Sequence, residues 1–141
     1  MEKLSSGIAS VSYVASKDEY IMKQNQKTLH VFDGNFRFKR TIALNASLKQ
    51  NDSYTGQAIY ADGEYIYGVY INAKTNPYKN YISVFDYNTG KFVRTINLGN
   101  KVTKKYSKVE VESLTSIGNN FYANANISGG SFAIFQLKLT Q

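Results

Sequence analysis

Apolar and polar residues alternate along this chain, and no stretch carries a convincing helical period. In Phe36-Arg37-Phe38-Lys39, aromatic and cationic side chains take turns, which marks a strand with one wet face. Residues 46–51 are the one place where a short helical turn is expected. In the middle of the chain the pattern predicts four strands, roughly 56–61, 65–72, 81–87 and 92–98. Ala61-Asp62-Gly63-Glu64 has the Asp-Gly signal of a tight hairpin, and Asn88-Thr89-Gly90 supplies another turn.

The pattern recurs. Residues 28–44 read TLHVFDGNFRFKRTIAL and residues 80–98 read NYISVFDYNTGKFVRTINL. Val31-Phe32-Asp33 answers Val84-Phe85-Asp86, and Arg40-Thr41-Ile42 answers Arg94-Thr95-Ile96. A one-residue slip between the two matches falls in the turn that separates them. Upstream, Asp18-Glu19-Tyr20-Ile21 aligns with Gly63-Glu64-Tyr65-Ile66. The second unit carries extra residues over 72–80, with the single proline Pro77, as expected of a loop. A weaker third copy begins near Val109. Asn119-Asn120-Phe121-Tyr122 takes the place of Gly63-Glu64-Tyr65-Ile66, and Ala133-Ile134-Phe135-Gln136 that of Ser83-Val84-Phe85-Asp86. The chain stops at Gln141, before any counterpart of Arg94-Thr95-Ile96.

Four-stranded repeats of roughly 45–54 residues match propeller blades. The expectation is an all-β fold, a single domain over 1–141 made of β-propeller-type blades. It has about three four-stranded antiparallel units, 7–45, 55–99 and 108–141, the last incomplete. Three blades are too few to close a ring. The chain is therefore expected to be part of a larger propeller, or to complete one as a homo-oligomer.

Composition adds constraints. Of 141 residues, 43% are hydrophobic and 14% aromatic, enough to bury a core and too many for disorder. There are 12 Tyr and 8 Phe, and this mix favours strands. The net charge of +7 favours an anionic partner: nucleic acid, anionic lipid or an anionic wall polymer. The absence of Cys excludes disulfides and thiolate metal sites. No apolar run approaches the ~20 residues of a membrane span. Residues 1–7 lack the apolar core of a signal peptide. Either export does not use that route, or the sequence belongs to a longer chain.

Candidate chemistry is sparse. Glu110 and Glu112 are two apart, so a strand turns both carboxylates to one face. Such a pair suits ligand or cation binding, or ordinary pairing with Lys104, Lys105 or Lys108, better than glycoside hydrolysis. Asp33 and Asp86 recur at equivalent places, which points to holding turns rather than to chemistry. His30 is the single His, mid-strand beside the repeated motif, and reads as a packed or surface residue. Residues 101–108, with Lys101, Lys104, Lys105 and Lys108, form the densest basic stretch, suited to phosphate groups or simply to solvent. No nucleic-acid-binding motif accompanies it, so no nucleic acid is expected. Tyr54, Tyr60, Tyr65, Tyr67, Tyr70, Tyr78 and Tyr81 crowd the second unit. Most are expected in packing, with one or two free to stack on sugars.

One stretch has a family look. Val109-Glu110-Val111-Glu112-Ser113-Leu114 leads into Ile117-Gly118-Asn119-Asn120-Phe121-Tyr122 and then Phe132-Ala133-Ile134-Phe135-Gln136-Leu137. It resembles the C-terminal end of helveticin J-like proteins, the large heat-labile bacteriocins of lactobacilli. Gln57-Ala58-Ile59-Tyr60 and Asp62-Gly63-Glu64-Tyr65-Ile66-Tyr67 are similar to their preceding repeat. The resemblance covers residues 55–141. The same blade pattern is similar to propellers of some phage receptor-binding and teichoic-acid-associated proteins. The first unit departs from it, with Ala15-Ser16-Lys17-Asp18-Glu19-Tyr20 in place of the Asp-Gly turn.

The resemblance implies the C-terminal half of a longer antibacterial protein, secreted or at the cell surface, although the cytoplasm stays open. It would recognise an anionic glycopolymer or other carbohydrate on Gram-positive bacteria. The candidate ligand-binding residues are Gln57, Asp62, Tyr65, Lys104, Lys105, Lys108, Glu110 and Glu112. No enzymatic activity, cofactor or metal is expected. The alternative from a different class is a non-enzymatic propeller scaffold for protein–protein contact or self-assembly.

Overall fold

The computed structural model describes residues 10–25, 27–45, 54–99, 106, 108–128 and 130–139. The expected turn at 46–51 and residues Lys101, Lys104 and Lys105 lie outside them. The first sheet contains β1 (Ser10–Val14), β2 (Glu19–Lys23), β3 (Thr28–Asp33) and β4 (Phe38–Ala43). The second contains β5 (Thr55–Ala61), β6 (Tyr65–Asn72), β7 (Lys79–Asp86) and β8 (Phe92–Asn97). The third contains β9 (Val109–Ile117), β10 (Asn120–Ile127) and β11 (Ser131–Leu137). Each is an antiparallel meander whose spatial order follows the chain.

The repeat is reproduced in the pairing. Val31 faces Arg40 and Phe32 faces Phe38; Val84 faces Arg94 and Phe85 faces Phe92. A bulge interrupts both ladders at the same step. Phe32 meets Phe38 edge-on at 5.8 Å, and Phe85 meets Phe92 edge-on at 6.1 Å. The register corrects the upstream alignment by one residue. Glu19 lies opposite Asp33 and Tyr65 opposite Asp86, so Glu19 is the counterpart of Tyr65. In the third sheet Tyr122 lies opposite Gln136, so Tyr122, not Phe121, takes that place. Pairing must decide here, because a one-residue slip would turn every side chain to the opposite face.

Each sheet therefore has a forward and a backward face. Val14, Ile21, Leu29, Val31 and Ile42, on the forward face of the first sheet, pack on Ile59, Ala61, Ile66 and Phe85 of the second. Ala58, Val69, Ile82 and Val84, on the forward face of the second, pack on Val109, Val111, Ala123 and Ala125 of the third. β6 is covered on both sides, so it reads as a continuous apolar run. Each fully buried Val, Ile or Phe contributes about 1.5–3 kcal/mol relative to exposure.

The innermost strands lie side by side. Ser10 Oγ accepts the Ile59 N–H at 3.1 Å, and Ser12 Oγ accepts the Ala61 N–H at 3.0 Å. Asn80 Nδ2 donates to the Val109 carbonyl at 2.7 Å, and its Oδ1 accepts the Val111 N–H at 3.0 Å. An inner strand is a sheet edge with unpaired backbone groups, and side chains of the preceding unit occupy them. The contacts climb together along β1 and β5, and again along β5 and β9, so the three inner strands run parallel. Meander sheets stacked face to face around parallel inner strands are propeller-type blades. The third blade has three strands among the described residues.

Candidate binding surfaces

The sequence-selected residues fall into two groups. At the start of the inner strands, Gln57 occupies a bulge in β5, which turns its amide toward β9. It donates to the Glu110 carboxylate. Glu112 accepts from Asn126 Nδ2 at 2.9 Å. Burial, and then the neighbouring Glu110 charge, push the Glu112 carboxyl above its usual range. Each carboxylate of the pair is thus engaged by an amide. Lys108 is exposed just before β9.

At the other end of β5, Asp62 is a turn anchor. Its Oδ1 accepts the N–H groups of Glu64 and Tyr65, both at 2.8 Å, and its Oδ2 accepts the Tyr67 hydroxyl at 3.0 Å. The Tyr65 phenol is held above its usual range by its hydrogen bond to Glu64 and by that residue's charge. Gln57 and Asp62 are five strand positions apart, roughly 17 Å at strand rise. The two groups therefore do not form one site.

Asp33 and Asp86 do hold turns. Asp33 Oδ1 accepts the N–H groups of Asn35 and Arg37, both at 2.9 Å. Asp86 Oδ1 accepts the Thr89 hydroxyl and N–H and the Asn88 N–H. The Thr89 hydroxyl leads in holding that carboxyl below its usual range. His30 is half-buried and pairs with Gln24. Among the described residues, no group of three or more His, Cys, Asp or Glu is placed to hold a metal ion. Among the same residues, no helix is long and apolar enough to cross a membrane.

Sequence reasoning missed the residues that link the units. Glu19 is nearly buried and accepts from Tyr87 Oη and Lys39 Nζ. Burial opposes its ionisation, but those two hydrogen bonds outweigh it and hold the carboxyl below its usual range. Arg40 reaches the carbonyls of Asn88 and Tyr87 at 3.1 and 3.3 Å and lies 5.3 Å from the Tyr87 ring. Tyr87 stands where the first unit has Gly34, so the repeat comparison itself held that signal. Lys23 is 4% exposed between the first two sheets, and burial alone lowers its pKa. It closes over Gly56, where a Cβ would come within 2.5 Å of its Nζ and 3.3 Å of the Tyr70 ring. Burial raises the Tyr70 phenol to about 12.

A second surface is aromatic. On the backward face of the first sheet, Tyr13 meets Tyr20 at 4.9 Å, and Tyr20 stacks on Phe36 at 4.5 Å. Val11, Tyr13, Phe36 and Phe38 are all about half exposed. Phe36 sits at φ 59°, a left-handed conformation that disfavours a bulky residue. The matching residue of the second unit is Gly90, at φ 69°. The match is structural: Asp33 N–H donates to the Arg37 carbonyl and Asp86 N–H to the Lys91 carbonyl, both at 2.9 Å.

No family model matches the chain, and no curated protein matches it. Among solved structures it is similar to Sqt1 of Saccharomyces cerevisiae, at 11% identity and a TM-score of 0.47 over 93% of this chain. It is also similar to BamB from Moraxella catarrhalis, at 10% identity and a TM-score of 0.34 over 90% of this chain. The match spans 31% of Sqt1 and 49% of BamB.

Proposed function

We propose that the chain is a non-enzymatic β-propeller scaffold that acts through protein–protein contact, association with its own kind included. The supporting observation is the aromatic backward face of the first sheet. In the second sheet the corresponding face, with Ile66 and Phe85, is buried under a neighbouring blade. In the first, Tyr13, Phe36 and Phe38 lie open, and Phe36 is kept there against its backbone preference. Exposed apolar patches of this kind serve contact. Sedimentation velocity over a wide concentration range tests the reading. Reversible association is expected, weakened by Tyr13→Lys with Phe38→Lys, two substitutions at half-exposed positions. A monomer at every concentration would remove self-association.

A second reading goes with the helveticin J-like resemblance and draws on the +7 charge. The chain would be part of a secreted or surface-acting antibacterial protein that binds an anionic wall glycopolymer. Its test is binding to purified Gram-positive walls with and without teichoic acid. Equal binding to both, or to neither, removes the teichoic acid version.

A further inference from the structure

Lys23 stands at a core position. It lies opposite Leu29 as Val69 lies opposite Ile82, so Val69 is its counterpart in the second unit. Gly56 lies opposite Tyr70 as Val109 lies opposite Ile127, so Val109 is the counterpart of Gly56 and Ile127 that of Tyr70. Between the second and third sheets, Val69 and Val109 are wholly buried in one apolar cluster. Between the first and second sheets, a lysine lies over a glycine. The architecture thus has no need of a cation here, since valine fills the same place one interface later.

Lys23 is 4% exposed and Tyr70 6%. Among the described residues neither Lys23 Nζ nor Tyr70 Oη makes a hydrogen bond, and the one ion pair there joins Lys39 to Glu19. No side-chain nitrogen or oxygen among those residues is both sealed from solvent and without a partner, so the two tips keep a trace of solvent contact. Gly56 lets them approach: a Cβ there would meet Lys23 Nζ at 2.5 Å and the Tyr70 ring at 3.3 Å. Gly68 gives the ring its bed, where a Cβ would come within 3.1 Å of Tyr70 Oη. The ammonium offers three donors and no acceptor, and the hydroxyl adds a donor. An ammonium stripped of water with no counter-charge is costly, and an anion relieves that cost. Acidic side chains are engaged elsewhere. Asp18, Glu19, Asp33, Asp62, Glu64 and Asp86 lie at the opposite ends of the strands. Glu110 and Glu112 accept from Gln57 and Asn126. Lys27, Lys74 and Lys79 are exposed at the same strand ends as Lys23 and add positive potential. We propose that Lys23 and Tyr70 form a small-oxyanion site between the first two blades, suited to a phosphate group. Lysine meets phosphate as a point charge, and the tyrosine hydroxyl fixes a second oxygen. The site is independent of the contact-scaffold reading and of the aromatic face. A free phosphate ion and a phosphodiester of a larger polymer present the same chemistry to it.

The probe is inorganic phosphate, titrated into the full chain at constant ionic strength made up with sodium chloride and followed by amide chemical shifts. Saturable shifts centred on Lys23, Gly56 and Tyr70 are expected. Lys23→Met should weaken binding at least about tenfold and Tyr70→Phe about fivefold, and both substitutions keep an apolar stem or ring in place. Phosphate should raise the thermal midpoint of the parent and leave that of Lys23→Met unmoved. No saturable response, an equal response in Lys23→Met, or shifts confined to Lys27, Lys74 and Lys79 would overturn the proposal. A glycerol phosphodiester oligomer run in parallel separates the sources: competition with phosphate at Lys23 assigns the site to a polymer, and phosphate binding without competition assigns it to the free ion. Phosphate binding in a chain that ignores purified walls would keep the site and remove the wall-polymer reading.

Discussion

Asn80 offers the sharpest test of how the blades are joined. Its side chain is fully buried, and its amide stands in for a peptide group, giving to the Val109 carbonyl and taking from the Val111 N–H. Asn80→Leu keeps the volume and removes both bonds. Two buried backbone groups are then left unpaired, at about 1–3 kcal/mol each, so the expected loss is about 2–6 kcal/mol. That is a large part of the roughly 5–15 kcal/mol by which ordinary domains are stable. Because the bonds tie β7 to β9, the third sheet should loosen first, with faster amide exchange over β9–β11 than over β1–β4. Asn80→Asp is a control with a pH signature. It keeps an acceptor for Val111 but sets a second oxygen against the Val109 carbonyl in a buried place. The folded-state pKa of that carboxyl is therefore raised, and stability is lost as pH rises through it and regained on acidification. Urea unfolding followed by circular dichroism, with exchange of the Val111 amide, measures all of this. A loss under about 1 kcal/mol for Asn80→Leu, or an unchanged Val111 amide, would refute the bridging role.

Other predictions follow from single residues. Gly90→Ala should cost about 2–4 kcal/mol in urea unfolding, because the new Cβ combines left-handed strain with a 2.2 Å approach to the Ala43 carbonyl; a neutral result would contradict the close approach. Phe36→Gly should leave stability within about 1 kcal/mol, since relief of ~1–2 kcal/mol of backbone strain is offset by glycine entropy and the lost stack on Tyr20. The same variant should associate more weakly in sedimentation, and unaltered association would argue against the aromatic face. For Lys23, burial sets the folded pKa below the reference 10.5, so the unfolded chain holds the proton more tightly and stability should rise with pH up to that value. Lys23→Met should be more stable than the parent at neutral pH and should lose that rise, and a persisting rise would point to another group. Glu110→Gln should bring the Glu112 titration, read by NMR, down toward its usual range, because one of the two causes holding it up is the Glu110 charge.

The repeat was legible because Val-Phe-Asp and Arg-Thr-Ile do local work that each unit must redo. Val packs forward, Phe backward, and Asp holds the turn that follows. The sequence shows no third Arg-Thr-Ile, and the third sheet has three strands among the described residues. Less local matters were not legible. The upstream alignment slid by one residue because identity at Tyr20 and Tyr65 competed with pairing, and only pairing sees which face a side chain takes. Asn80 looked like loop polarity at the end of an insertion, since its partners lie 29 and 31 residues away. Gln57 and Glu110 were both singled out, yet only the bulge in β5 explains why they meet. Asp62 and Tyr65 were grouped with them by type, but strand length separates the two sets.

The bonds from side chains to inner-strand backbone are one-way. Ser10 and Ser12 serve the second unit, and Asn80 serves the third; in each case the earlier unit completes the later one. A chain emerging from the ribosome would thus offer each new blade an already formed surface to settle against. Trimming from the C-terminal end removes a dependent and leaves its supports intact. Trimming from the N-terminal end withdraws the groups on which the next blade relies, so deletions of equal length at the two ends should differ sharply in what still folds.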